Sequence, residues 1–358
     1  MKEAQKQLKA ALLGYGLGGA VFHAPLMHAC RDIALAAIVT GNAERRAEAQ
    51  ARYPGIKLYA NSNEFFADAD KYDLAVISTT NDSHAPLARQ ALQNKLAVVI
   101  DKPMACSVQE ALDLIEMRNS TGGFLTAFQN RRYDNDFLTL KKIISEKLTP
   151  IRLESRFERF RQVPKPGGWR ETTSAKAGGG VLFDLGSHLL DQVHVLFGKP
   201  EKIYAEVKTR RQNVLADDDS FVALQYKTLD VHVHVSMMAA APAPRFKLQG
   251  MEGGYEKWGL DPQEDALRSG QTPDSPGFGI EAQEASGTLH LDGKHKIISE
   301  RGNYPAYYEA VAKAILSGGA PPVTAEEALL TLQIIEAART SSKEGRVIDW
   351  RELASPHL

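Results

Sequence analysis

The chain has 358 residues, 43% of them hydrophobic and 24% charged, the balance of a folded protein large enough for two domains rather than of a disordered chain. Its 43 Lys and Arg against 44 Asp and Glu leave a net charge of −1, which gives no excess field for nucleic acid or an anionic membrane and favours work on small molecules. Cys30 and Cys106 have neither metal-finger nor disulfide-framework spacing and read as buried thiols in a reducing compartment; with a polar start (Met1 to Gln7) and no apolar run near the ~20 residues of a membrane span, the cytoplasm is expected.

In chain order, the apolar strand Lys9 to Leu13 runs into Gly14-Tyr15-Gly16-Leu17-Gly18-Gly19 and then a helix. A Gly-x-Gly-x-x-Gly turn in that setting lets backbone N–H groups and a helix N-terminus receive a dinucleotide pyrophosphate. An empty structural turn is the other reading. The strand Ala34 to Val39, one βαβ unit later, favours the dinucleotide. That second strand ends in Thr40, Gly41 and Asn42, with no carboxylate to accept the ribose 2′-OH as NAD-selective folds do. Arg45 and Arg46 follow at the start of the helix Ala43 to Arg52 and either hold a 2′-phosphate or solvate the helix face. NADP is therefore expected ahead of NAD.

Leu74 to Ser78, Leu96 to Ile100 and Phe124 to Phe128 read as further buried strands, separated by the helices Ala85 to Gln93 and Val108 to Asn119. Alternating β and α segments predict a doubly wound parallel sheet, an N-terminal Rossmann domain over residues 1–124. Beyond the helix Phe137 to Glu146 the pattern changes to successive strands: Ile151 to Phe160, Lys202 to Thr209, Ser220 to Tyr226, Val231 to Ser236, Arg245 to Gln249 and Thr288 to Leu291. These predict a C-terminal α+β domain, residues 125–358, on an open and mainly antiparallel sheet. Its helices are Gly180 to Phe197, Pro305 to Ser317 and Ala325 to Ser342. Gly253 to Gly279, rich in Gly, Pro and Asp, reads as a long surface excursion.

Asp101-Lys102-Pro103 follows a strand directly, so Lys102 stands at the carboxyl edge of the sheet, where open α/β folds bind ligands. It is either a solvated loop lysine or a donor to a substrate hydroxyl. Pro103 is a candidate for a cis peptide bond. After Gly178-Gly179-Gly180, Asp184 and His188 are i and i+4 on one helix face. They either stabilise that helix or form what alcohol oxidation needs, a carboxylate anchoring a hydroxyl beside an imidazole that accepts its proton. Thr79, Asn81 and His84, after the strand Leu74 to Ser78, serve turn and cap roles or contact cofactor ribose or nicotinamide. His232 and His234 share a strand face without an evident third ligand, so no metal is expected, and Asp217-Asp218-Asp219 reads as a solvated turn. Trp169-Arg170 lies in a Pro/Gly-rich loop, where it reaches over a cofactor or caps the core.

The glycine motif, Asp101-Lys102-Pro103, the Gly-rich lead into Asp184 and His188, and the strand-rich second half together resemble the glucose-fructose oxidoreductase/inositol dehydrogenase/MocA (Gfo/Idh/MocA) family over nearly the whole chain. Phe22-His23-Ala24-Pro25, Phe128 to Asp134, Trp169-Arg170-Glu171 and Gly302 to Tyr308 further resemble the branch containing bacterial NADP-dependent scyllo-inositol dehydrogenases. The resemblance implies that Lys102, Asp184 and His188 are the catalytic group: His188 accepts a proton, Lys102 polarises the reacting oxygen and Asp184 holds a neighbouring hydroxyl. It implies cofactor contacts from Gly14, Tyr15, Gly16, Leu17, Gly19, Thr40, Asn42, Arg45, Thr79, Asn81, His84, Lys102, Asn130, Trp169 and Arg170. A small polyol or sugar substrate and a homo-oligomer are implied as well. Asp101 in place of the common Glu, and Thr80 where Pro often stands, depart from the family pattern without removing a reacting group. A dehydrogenase of another sugar, or a non-enzymatic NADP-sensing regulator on the same fold, are the alternative functions.

Overall fold

Four short runs, Leu8–Leu13, Leu74–Ile77, Ala97–Asp101 and Leu125–Phe128, are apolar at nearly every position, which suits strands covered on both faces. In the computed structural model, which describes residues 7–164, 172–241 and 243–353, they lie at the centre and one edge of a six-stranded parallel sheet. Its strands are β1 (Leu8–Leu13), β2 (Ile33–Val39), β3 (Lys57–Tyr59), β4 (Leu74–Ile77), β5 (Ala97–Asp101) and β6 (Leu125–Phe128), in the spatial order β3-β2-β1-β4-β5-β6. That is the doubly wound order whose switch point falls between β1 and β4, where such sheets take ligands beyond the strand ends. The register aligns those ends: Leu13 pairs with Val39 and Ile77, and Ile77 with Ile100. Gly14, Thr40, Ser78 and Asp101 therefore stand along one edge.

The second sheet has nine strands: β7 (Pro150–Glu158), β8 (Lys202–Lys208), β9 (Asp219–Gln225), β10 (Asp230–Ser236), β11 (Phe246–Gly250), β12 (Gly254–Lys257), β13 (Gly287–His290), β14 (Lys294–Ile297) and β15 (Ile348–Asp349). Their order is β14-β13-β12-β11-β7-β10-β9-β8-β15, with antiparallel neighbours except β7 and β10, which run parallel. Alternation is clear on β7 to β10. Leu153, Ser155 and Phe157, Ile203 and Ala205, Val222 and Leu224, and Val231, Val233 and Val235 are buried, while the residues alternating between them are partly or fully exposed. The buried face packs on the helix Ser187–Phe197.

By contact density the chain forms two units, Met1–Tyr133 with Pro262–Phe278 and Asn303–Ala328, and Asp134–Asp261 with Gly279–Gly302 and Leu329–Leu358. The parallel sheet lies in the first and the nine-stranded sheet in the second. The expected surface excursion over 253–279 is corrected: it contains β12 and the helix Gln263–Arg268, and buries Tyr255, Leu267 and Phe278. Polar anchors explain this. In the second unit the buried Lys257 amine donates to the Trp258 and Ala285 carbonyls and to Glu281, each at 2.8–2.9 Å, and in the first Gln263 donates to the Tyr133 carbonyl and accepts the Tyr304 N–H. Of the two cysteines only Cys30 is buried; Cys106 is half-exposed, because it lies in the loop after β5 rather than under the sheet. Among the described residues no helix is long and apolar enough to cross a membrane.

Candidate active site

The first unit builds its candidate residues on strand ends. Gly14 takes φ +99°, and a Cβ there would stand 2.3 Å from the Ser78 carbonyl oxygen, so both conformation and packing demand glycine. Gly19 packs against the Gly14 carbonyl in the same way. Gly16 differs. A Cβ on it would meet nothing nearer than Arg45 Nη1 at 3.8 Å, so the chain itself leaves this space open. The helical segment that follows starts as a π turn, Gly18–His23, whose first N–H groups receive no side-chain cap. An open backbone face, uncapped N–H groups and a nearby guanidinium fit a dinucleotide phosphate.

Around that loop the remaining candidates divide by exposure. Leu17 is exposed, whereas the Tyr15 ring and Thr40 are buried. Asn42 caps the helix Ala43–Arg52 by accepting the Arg45 N–H at 2.9 Å. Arg46 turns back and donates to the Thr40 carbonyl at 3.0 Å, whereas the exposed Arg45 has its Nη1 beside Gly16. The Thr79 hydroxyl lies 2.7 Å from Ser83 Oγ, and Asn81 opens the helix Asn81–Gln93. His84 is buried with Nδ1 2.8 Å from the Pro103 carbonyl and Nε2 3.3 Å from that of Thr79, so it ties the Lys102 loop to the β4 loop. Burial holds its pKa below the usual histidine range, against the pull of Asp101 and of the two carbonyls. Asn130 is buried at the start of the 3₁₀ turn Asn130–Tyr133. Trp169 and Arg170 lie outside the described residues.

Lys102 is half-buried beyond β5 and its peptide bond to Pro103 is cis. Its N–H donates to Asp101 Oδ1 at 2.8 Å. Burial works to raise the Asp101 carboxyl, but His23, Lys102 and His84 outweigh it and keep the group below the usual carboxylate range.

In the second unit Asp184 and His188 are both nearly buried. They do not share one regular α-helix as their spacing predicts. Asp184 lies in a π turn, Leu182–Gly186, and His188 in the first turn of the α-helix Ser187–Phe197. Such single π turns often mark functional positions. Two side chains hold the segment leading into it. Asp217 accepts the Leu182 N–H at 2.7 Å while its own carbonyl takes the Val181 N–H at 2.9 Å. Arg339 donates to the carbonyls of Ala175 and Gly179 and lies 4.9 Å above the Phe183 ring. Gly180, at φ +100°, lets the chain pass so close that a Cβ would stand 2.1 Å from Asp217 Oδ1. The solvated acidic turn expected at 217–219 is thus corrected: Asp217 and Asp218 are buried, and Asp218 pairs with Arg211 at 2.9 Å. Burial raises the Asp217 carboxyl, against the Leu182 N–H, Arg339 and the Ser220 hydroxyl.

Beyond Asp184, Gln192 accepts from Arg245 at 2.7 Å and His194 lies 3.1 Å from the Thr331 hydroxyl, so both faces of the helix Ser187–Phe197 are pinned by buried polar contacts. Arg339 and Arg245 did not stand out in the sequence, and Asp217 read only as part of a solvated turn, since each acts on residues far along the chain. Among the described residues no three His, Cys, Asp or Glu side chains are grouped to hold a metal.

Comparison with known proteins agrees with this architecture. The model of an oxidoreductase family's NAD-binding Rossmann fold matches residues 8–128, and that of the family's C-terminal alpha/beta domain matches 141–350. The scyllo-inositol 2-dehydrogenase (NADP(+)) IolW of Bacillus subtilis is 35% identical over 95% of both chains. Among solved structures, yvaA of Bacillus subtilis superposes with a TM-score of 0.91 at 34% identity, covering 97% of this chain and 99% of that one. An oxidoreductase-like protein of Yersinia pestis gives 0.88 at 35%, covering 96% and 97%. The chain belongs to the Gfo/Idh/MocA oxidoreductase family.

Proposed function

We propose that the protein is an NADP(H)-dependent dehydrogenase that interconverts a secondary alcohol and a ketone on a cyclic polyol or sugar, such as scyllo-inositol and its inosose. The observation that carries this is the full-length likeness to a relative named for that reaction and that cofactor, in a chain with Lys102, Asp184 and His188 at the positions the family resemblance assigns to chemistry. Bound along the glycine loop, with Arg45 on its 2′-phosphate, NADP would supply hydride transfer at its nicotinamide ring.

The chain's own groups do the rest. The Lys102 ammonium donates to the reacting oxygen and favours the charge that gathers there as the hydroxyl proton leaves. The His188 imidazole takes that proton during oxidation and returns it during reduction. Asp184 accepts a hydrogen bond from a neighbouring hydroxyl, so a ring bearing several hydroxyls is oriented before it reacts. The reading includes a homo-oligomer working in the cytoplasm.

A panel of inositols and sugars, each assayed with NAD and NADP by the absorbance of reduced nicotinamide, tests activity, substrate and cofactor together. We expect turnover of an inositol with NADP well ahead of NAD, and Arg45→Ala should weaken NADP binding about tenfold while sparing NAD. Absence of oxidation of every polyol with either cofactor would reject the reading.

A further inference from the structure

His23, Asp101 and Tyr308 meet inside the first unit although they are far apart in sequence. His23 ends the π turn that follows the glycine loop and is fully buried, its ring tilted on Phe128 with centroids 4.2 Å apart. Its Nδ1 lies 2.6 Å from the Tyr308 hydroxyl. Nε2 lies 3.4 Å from Asp101 Oδ2, a long contact, and has no hydrogen-bond partner of its own. An ionised carboxylate only accepts, so the ring proton belongs on Nε2 and Nδ1 accepts from Tyr308, whose hydroxyl burial keeps protonated.

The Asp101 carboxylate is the hub of this arrangement. Oδ2 also accepts the Ser78 hydroxyl at 3.1 Å, and Oδ1 accepts the Lys102 N–H. A Cβ on Gly18 would stand 2.7 Å from Ser78 Oγ and 2.8 Å from Asp101 Oδ2, so the glycine loop lies directly against the same carboxylate. One group therefore touches the backbone that presents Lys102, the end of β4 and the start of the helix beyond the glycine loop.

We propose that Tyr308 and His23 are positioning residues for Lys102, acting through Asp101: Tyr308 orients the His23 ring, the ring holds the carboxylate, and the carboxylate fixes the Lys102 backbone relative to the glycine loop. This rests on the reading of Lys102 as the donor to the reacting oxygen. A displacement of about 1 Å at such a group costs on the order of 10²-fold in rate.

The test compares His23→Phe, which removes both ring contacts, with His23→Gln, whose amide restores a donor toward Asp101, and Tyr308→Phe, which loses a single hydroxyl and keeps the packing. We expect kcat to fall about 30–100-fold in His23→Phe and about 3–10-fold in Tyr308→Phe, with His23→Gln recovering most of the loss and NADP affinity within about threefold throughout. A second readout needs no substrate: the resonance of ¹³C-dimethylated Lys102, assigned through Lys102→Arg, should move in His23→Phe and Tyr308→Phe. An unmoved resonance in folded variants overturns the proposal, and so does wild-type kcat in both. A moved resonance in a protein that oxidises no polyol would uphold the positioning and reject the reaction instead.

Discussion

In the first unit the candidate residues stand at the ends of parallel strands whose register is set by backbone hydrogen bonds, so Gly14, Ser78 and Lys102 are placed by the sheet itself. In the second, Asp184 and His188 stand on a π-to-α segment hung from Asp217 and Arg339, side chains that arrive from distant parts of the chain. Backbone placement tolerates most side-chain changes but not an added Cβ at a tight turn. Side-chain placement is vulnerable to single substitutions well away from the reacting groups.

The largest expected effect falls on both units alike. Lys102→Ala and His188→Ala should each lower turnover by about 10²–10⁴-fold with NADP affinity nearly intact, as steady-state kinetics and cofactor titration would show. The anchors then separate the two regions. Asp217→Asn and Arg339→Ala should cost about 10–10²-fold in kcat without changing NADP affinity, because they loosen only the segment leading into Asp184. Loss of NADP binding in either variant would show that these anchors act beyond the segment leading into Asp184.

Two glycines sharpen it within the first unit. Gly14→Ala should destabilise the fold by about 2–4 kcal/mol, since it combines left-handed strain with a clash on the Ser78 carbonyl. Gly16→Ala should leave the denaturation midpoint unchanged and weaken NADP by about tenfold, because its side is open to a ligand and not to the chain. Equal effects of the two on stability would show that the Gly16 space serves the fold.

The smallest effect concerns the sheet of the second unit. Burial first, and then the Arg156 charge, push His234 down to about 4. The unfolded chain takes up this proton near the ordinary value of 6.5 whereas the folded chain does not. His234 therefore subtracts stability progressively as pH falls from about 6.5 toward 4, and has no such effect above that window. Urea midpoints of His234→Asn should drop less between pH 7.5 and pH 5 than those of the wild type.

The same contrast explains what could be read before the structure. β1, β4 and β5 and the glycine turn announce themselves because a buried parallel strand must be apolar throughout and a phosphate loop must lack side chains. The alternating strands of the second sheet were legible for a similar reason, one face wet and one covered. Segment 253–279 misled because its order comes from buried polar groups, Lys257 and Gln263, whose partners are remote in sequence. Asp217 and Asp218 misled in the same way, since a run of acids looks solvated until the N–H groups and the arginine that meet it are known. The π turn under Asp184 leaves no periodic trace at all.

The proposed function requires Lys102 and His188 to serve one reaction. A double-mutant cycle in scyllo-inositol oxidation with NADP tests it most directly. The account predicts that Lys102→Ala/His188→Ala is scarcely slower than the worse single variant, as for groups that work as a unit. Losses that multiply, or a single variant with wild-type turnover, would contradict it.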